Sequence, residues 1–124
     1  MAQKILIIDD EEDMRIFLET LFRKAGYDTA SAVNGDEALQ LLDEMTPDLI
    51  TLDILMPRKS GLTFFEILRQ NENLKKTPVV VLSGVTRHSE FFTSEDDIQG
   101  PTEFIEKPVE PQVLLDCVSK LLQN

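Results

Sequence analysis

Polar residues able to do chemistry follow short apolar runs at several separate places in the chain. Ile5 to Ile8 leads into Asp9-Asp10-Glu11-Glu12-Asp13, Leu49 to Leu52 into Asp53, and Val79 to Leu82 into Ser83, while Thr102 to Ile105 is followed by Lys107-Pro108. If the apolar runs are neighbouring strands, all of these polar groups land on one rim. Side chains of successive strand residues point to opposite faces, so Asp9 and Asp10 both reach that rim only where the strand ends and the backbone turns. Asp9, Asp10 and Asp53 converging there repel one another unless protons or a cation intervene. Oxygen ligands with no His or Cys among them suit magnesium, which keeps several waters and takes one or two carboxylates plus a phosphate oxygen; zinc is not indicated. A carboxylate beside such a cation, faced by the Lys107 amine and the Ser83 hydroxyl, is equipped to accept a phosphoryl group. Asp53 is the nucleophile in this reading, Lys107 the point charge on one phosphoryl oxygen and Ser83 a hydrogen-bond donor to another.

The elements that must position these groups alternate. Ile5 to Ile8, Leu49 to Leu52 and Val79 to Leu82 are short and unbroken, as strands covered on both faces are, and Tyr27 to Ala32 and Thr102 to Ile105 are weaker strands. Met14, Phe17, Leu18, Leu21, Phe22 and Ala25 repeat at helical spacing, with Gly26 as a left-handed stop. Asn34 and Glu37 resemble a capping box ahead of Ala38, Leu41, Leu42 and Met45, and Pro47 is expected to end that helix. Ser60 or Gly61 opens a third helix buried through Phe64, Phe65 and Leu68, and Pro111 opens the last one, with Leu114, Cys117, Val118 and Leu121 inward. Residues 84–100 carry Val85, Phe91, Phe92 and Ile98 without a continuous stripe, so a short helix within a long loop is expected there. Such alternation predicts a doubly wound parallel sheet with ligands at the carboxyl ends of its strands.

Composition narrows the partners. A chain of 124 residues, 42% apolar, makes one domain over 1–124 with a real core and leaves no room for a multidomain enzyme. Its 12 Lys plus Arg against 23 Asp plus Glu give a formal charge of −11, a field that repels phosphate backbones and anionic lipid, so direct nucleic-acid and membrane partners are disfavoured. No apolar run approaches the roughly 18 residues of a membrane span, and Met1 to Lys4 shows no cleavable leader, so the expected location is cytoplasmic.

Each feature has a plainer explanation. An acidic run is commonly a solvated helix start, Asp53 a turn residue before Met56-Pro57, Lys107 an exposed lysine, Ser83 a cap and Phe104 ordinary core. His88 lacks any companion ligand and reads as surface, Cys117 as a small buried hydrophobe, and Phe91 and Phe92 as packing with a partner surface as their rival reading. Their conjunction at successive strand ends, not any single residue, favours the phosphoacceptor reading.

The motifs Ile7-Ile8-Asp9-Asp10-Glu11, Leu52-Asp53-Ile54-Leu55-Met56-Pro57, Val81-Leu82-Ser83-Gly84 and Phe104-Ile105-Glu106-Lys107-Pro108 together resemble the receiver domain of two-component response regulators, over essentially the whole chain. The resemblance implies a flavodoxin-like five-stranded sheet of order 2-1-3-4-5. It implies that Asp53 takes phosphate from a phosphohistidine on a histidine kinase or histidine phosphotransfer protein. It further implies that Asp10, Asp53 and the backbone carbonyl of Leu55 bind Mg2+ directly, that Asp9 acts mostly through water, and that a cis Lys107-Pro108 bond aims the lysine inward. Phe104 occupies the family's switch position and would turn inward as Ser83 moves toward the phosphoryl group, reshaping the face of the fourth-helix region, strand five and the last helix for a downstream protein target. A Phe there offers no phenolic hydrogen bond.

The sequence departs from the pattern in Gly100-Pro101 and the length of the segment before it, which touches the usual partner face. Leu55 and Val85 are apolar where the family tunes water attack, so self-dephosphorylation is expected to be slow, with labelling by small phosphodonors the most enzyme-like activity. A phosphatase using Asp53 would want a second Asp where Leu55 stands. A flavin protein would not place Asp9 to Asp13 against a phosphate. The alternative kept open is a phosphorylation-independent interaction module of the same fold, and the resemblance also allows a phosphorylation-dependent dimer.

Overall fold

A computed structural model describes residues 2–53, 61–83 and 101–123. The expectations placed on Leu55, on Met56-Pro57 and on residues 84–100, including Val85, His88, Phe91 and Phe92, fall outside those residues, as do the side chains of Phe65 and Ser83. Along the described chain run β1 (Lys4–Ile8), α1 (Glu12–Lys24), β2 (Asp28–Ala32), α2 (Gly35–Leu42), β3 (Leu49–Asp53), α3 (Gly61–Gln70), β4 (Val79–Ser83), β5 (Thr102–Glu106) and α4 (Pro111–Leu122).

The strands make one parallel sheet, as the alternation predicts, in the order β2-β1-β3-β4-β5, the flavodoxin-like order that the family resemblance implies. Strand periodicity divides the core in two. Leu6, Ile8, Ile50, Leu52, Val79 and Val81 face Ala38 of α2 and Phe64 and Leu68 of α3. Ile5, Ile7, Leu49, Val80 and Leu82 face Leu18 and Phe22 of α1 and Leu114 and Val118 of α4. Every strand residue from Ile5 to Ile8 and from Leu49 to Asp53 is buried, which is why these runs carry no polar alternation.

Helix boundaries follow local chemistry. α1 has Glu12 and Asp13 in its first turn and Arg23 and Lys24 in its last, complementing the helix dipole. It ends in a Schellman arrangement: the Tyr27 N–H donates to Phe22 O at 3.0 Å and the Gly26 N–H to Arg23 O at 3.0 Å, with Gly26 at φ 98°. At α2 the Asn34 Oδ1 accepts from the Glu37 N–H at 2.8 Å. The Glu37 carboxylate reaches back to the Val33 N–H at 3.3 Å, one residue earlier than in a standard capping box.

α2 is shorter than the sequence suggests. It stops at Leu42, before Pro47 can end it, because the chain tightens: the Asp43 N–H donates to Gln40 O and the Glu44 N–H to Leu41 O. Met45 is half-buried beyond the helix, and Leu39 joins the inward face instead. β2 starts at Asp28, one residue after the expected Tyr27. Cys117 and Leu121 are half-buried against the α1/α4 layer, and burial raises the Cys117 thiol above its ordinary range.

Candidate functional site

The carboxyl ends of β1, β3, β4 and β5 share one rim. Asp9 directly follows β1, Asp53 ends β3, Ser83 ends β4 opposite Glu106, and Lys107 directly follows β5. The Asp9 N–H still donates to Ala32 O at 3.1 Å, so the backbone remains strand-like up to that point. There it turns: Asp9 Oδ1 accepts from the Glu11 N–H at 2.9 Å, a side chain closing a turn two residues long. The Arg15 Nη1 from α1 donates to the Asp9 carbonyl at 2.8 Å and fastens the loop to the helix it opens.

This geometry brings together the three carboxylates expected from the sequence. Asp9, Asp10 and Asp53 each offer an oxygen within 4.8 Å of the others, with Asp9 and Asp53 buried and Asp10 exposed. Asp9 Oδ2 is buried without a hydrogen-bond partner among the described residues. Burial pushes the Asp9 carboxyl up to about 6, with repulsion from Asp53 adding to the rise and the Glu11 N–H opposing it. Oxygen donors from carboxylates alone, one of them buried with no hydrogen-bond partner among the described residues, fit a hard cation such as magnesium.

Lys107 comes to the same place. Its Nζ lies 3.4 Å from Asp53 Oδ2 and 4.0 Å from Glu11 Oε1, and the Lys107-Pro108 bond is cis. Phe104 is half-buried beside Val81 and packs against the α2/α3 layer of the core. Of the residues singled out beforehand, the structure thus joins Asp9, Asp10, Asp53 and Lys107, aligns the Ser83 backbone with them, and leaves Leu55 undescribed.

Two contacts were not anticipated. In the sequence Glu11 is one member of an acidic run, yet in the fold it pairs with Lys107; nothing local in the sequence connects residues so far apart. Arg15 follows Glu11 at helical spacing, a signal for a side chain folding back over the loop.

An all-parallel doubly wound sheet with an acid trio and a lysine at its carboxyl rim defines the class of small doubly wound α/β domains that gather their polar groups at the strand ends. Within that class the chain belongs to the response regulator receiver domain family, whose model matches residues 5–119. It is 33% identical to the chemotaxis protein CheY of Thermotoga maritima over 98% of both chains. It is 32% identical to protein PilG of Pseudomonas aeruginosa over 93% of this chain and 84% of that one. The structure of the chemotaxis response regulator CheY4 of Vibrio cholerae superposes with a TM-score of 0.88 at 27% identity, covering 98% of this chain and 99% of that one. Among the described residues no helix is long and apolar enough to cross a membrane.

Proposed function

We propose that the chain is a phosphoacceptor signalling switch in which Asp53 receives a phosphoryl group from a phosphohistidine of a histidine kinase or histidine phosphotransfer protein. The observation that carries this reading is the Lys107 amine 3.4 Å from Asp53 Oδ2, beside a carboxylate trio that includes a buried oxygen with no hydrogen-bond partner among the described residues. A carboxylate oxygen of Asp53 attacks phosphorus as the bond to the donor's imidazole nitrogen breaks. The nitrogen keeps the electron pair and takes up a proton, so the step is a transfer without oxidation or reduction.

Asp9, Asp10 and Asp53, with the Leu55 carbonyl, would hold Mg2+. When bound, the cation supplies positive charge for the phosphoryl oxygens. Asp53 is held for attack by its place at the end of a fully buried strand, and Lys107 exchanges its carboxylate partner for a phosphoryl oxygen. Ser83 is assigned the hydrogen bond to a third oxygen and Phe104 the sensing of that movement, transmitted to the face of β5 and α4 for a downstream protein. Phosphorylation-dependent dimerisation is compatible with that face, and a cytoplasmic location with a kinase partner. Acting as a switch, the domain has no enzymatic role beyond labelling itself and slowly losing the label.

Intact mass measurement after incubation with acetyl phosphate and Mg2+ tests this. One phosphoryl adduct is expected on the native chain and none on Asp53→Asn. An adduct persisting in the variant would overturn the assignment. No adduct under any donor would favour a phosphorylation-independent interaction module.

A further inference from the structure

Among the described residues Lys107 is within ion-pair distance of two carboxylates, and one of them lies outside the acid trio. Its Nζ is 3.4 Å from Asp53 and 4.0 Å from Glu11. The Glu11 backbone N–H seats the Asp9 carboxylate at 2.9 Å, so the turn that positions a member of the trio also carries the Glu11 side chain to the lysine. The two partners differ in exposure: the Asp53 side chain is 4% exposed and Glu11 is 67% exposed. Of the lysine's two partners, Glu11 is therefore the one whose charge is open to solvent.

We propose that Glu11 determines phosphodonor specificity, disfavouring doubly charged donors relative to singly charged ones. This rests on Asp53 being the phosphoacceptor. The repulsion between Glu11 and a donor scales with the donor's charge, and because Glu11 is exposed it is screened by salt. Glu11 also holds part of the lysine's attraction that would otherwise fall on the donor's oxygens. Glu11→Gln removes the charge while leaving the backbone N–H that seats Asp9. Glu11→Asp keeps the charge on a shorter side chain.

The test compares initial labelling rates of the full chain and both variants with Mg2+ and two donors: acetyl phosphate, a dianion at neutral pH, and phosphoramidate, a monoanion. Glu11→Gln is expected to speed acetyl phosphate labelling about 3- to 10-fold at about 0.01 M ionic strength, with a smaller gain for phosphoramidate, both gains shrinking toward none near 1 M. Glu11→Asp should stay closer to the native rates. Equal gains for both donors, gains indifferent to salt, or slower labelling with both donors would overturn the proposal, the last showing Glu11 to be a mere support for Lys107. Failure of the native chain to label, or retention of the adduct in Asp53→Asn, would instead strike the phosphoacceptor reading and take this proposal with it.

Discussion

The Nζ of Lys107 stands closer to Asp53 Oδ2, at 3.4 Å, than to Glu11 Oε1, at 4.0 Å, so the buried carboxylate of the rim holds the nearer share of the amine. Asp53 also lies within the trio formed with Asp9 and Asp10. The amine therefore offsets repulsion that the fold itself creates by bringing strand ends together.

Removing that amine should destabilise the protein. Lys107→Met is expected to lower the unfolding free energy by about 1–3 kcal/mol without divalent cation, less than for a fully enclosed pair because the lysine is partly exposed. Added Mg2+ should return most of the loss by binding the folded state alone. Urea unfolding with and without Mg2+ measures both effects. A variant as stable as the native chain in the absence of Mg2+ would mean that the trio is not under strain.

Asp9 predicts a pH dependence of definite sign. Burial raises its carboxyl from 3.8 to about 6, so between those values the folded chain holds a proton that the unfolded chain releases. The stabilisation is complete below about pH 4 and is lost as pH rises through about 6, an effect of about 2–3 kcal/mol for a side chain this buried. Asp9→Asn should remove that slope from the metal-free protein, and Mg2+ should bind the native chain more tightly as pH rises across the same window. Urea midpoints for both proteins from about pH 4 to about pH 7 give the difference; parallel curves would refute the assignment.

Much of this was legible in the sequence because buried parallel strands leave an unbroken apolar signature that ends abruptly where chemistry begins, as at Ile8 before Asp9 and Leu52 before Asp53. Gly26 and Asn34 marked helix ends for reasons internal to a few residues. The end of α2 was misplaced because a proline sets the latest point at which a helix can stop, while tighter turns after Leu41 stop it sooner. The Glu11 to Lys107 contact was illegible, since it depends on how a loop after the first strand meets one after the last.

Arg69 was equally hidden, and its removal should be among the costliest single changes. It is 6% exposed at the end of α3. Its Nη1 donates to the carbonyls of Leu74, Lys75 and Thr77, and its Nη2 to Pro101 O and Thr102 Oγ1. Burial lowers its guanidinium to about 10, still charged at neutral pH. Arg69→Met should cost about 3–5 kcal/mol, and Arg69→Lys nearly as much, because an ammonium cannot span both groups of acceptors. Hydrogen exchange at Thr102 to Glu106 should rise in both variants, and a lysine variant of native stability would sink the argument.

Thr51 offers the opposite outcome, a substitution that stabilises. It is 1% exposed in β3, between Ile7 of β1 and Val80 of β4, and its Oγ1 has no hydrogen-bond partner among the described residues. Strand periodicity puts it on the face of Leu49, toward the apolar layer of α1 and α4. Valine has nearly the same shape and the same preference for a strand, so Thr51→Val exchanges an unsatisfied hydroxyl for a methyl without opening a cavity. A gain of about 1 kcal/mol is expected, which for a domain of this size raises the melting temperature by about 3–6 °C. Thr51→Ser, which keeps the hydroxyl and loses the methyl, should instead lower it. A fall for Thr51→Val would show that the hydroxyl is satisfied, by a buried water bridging it to the sheet.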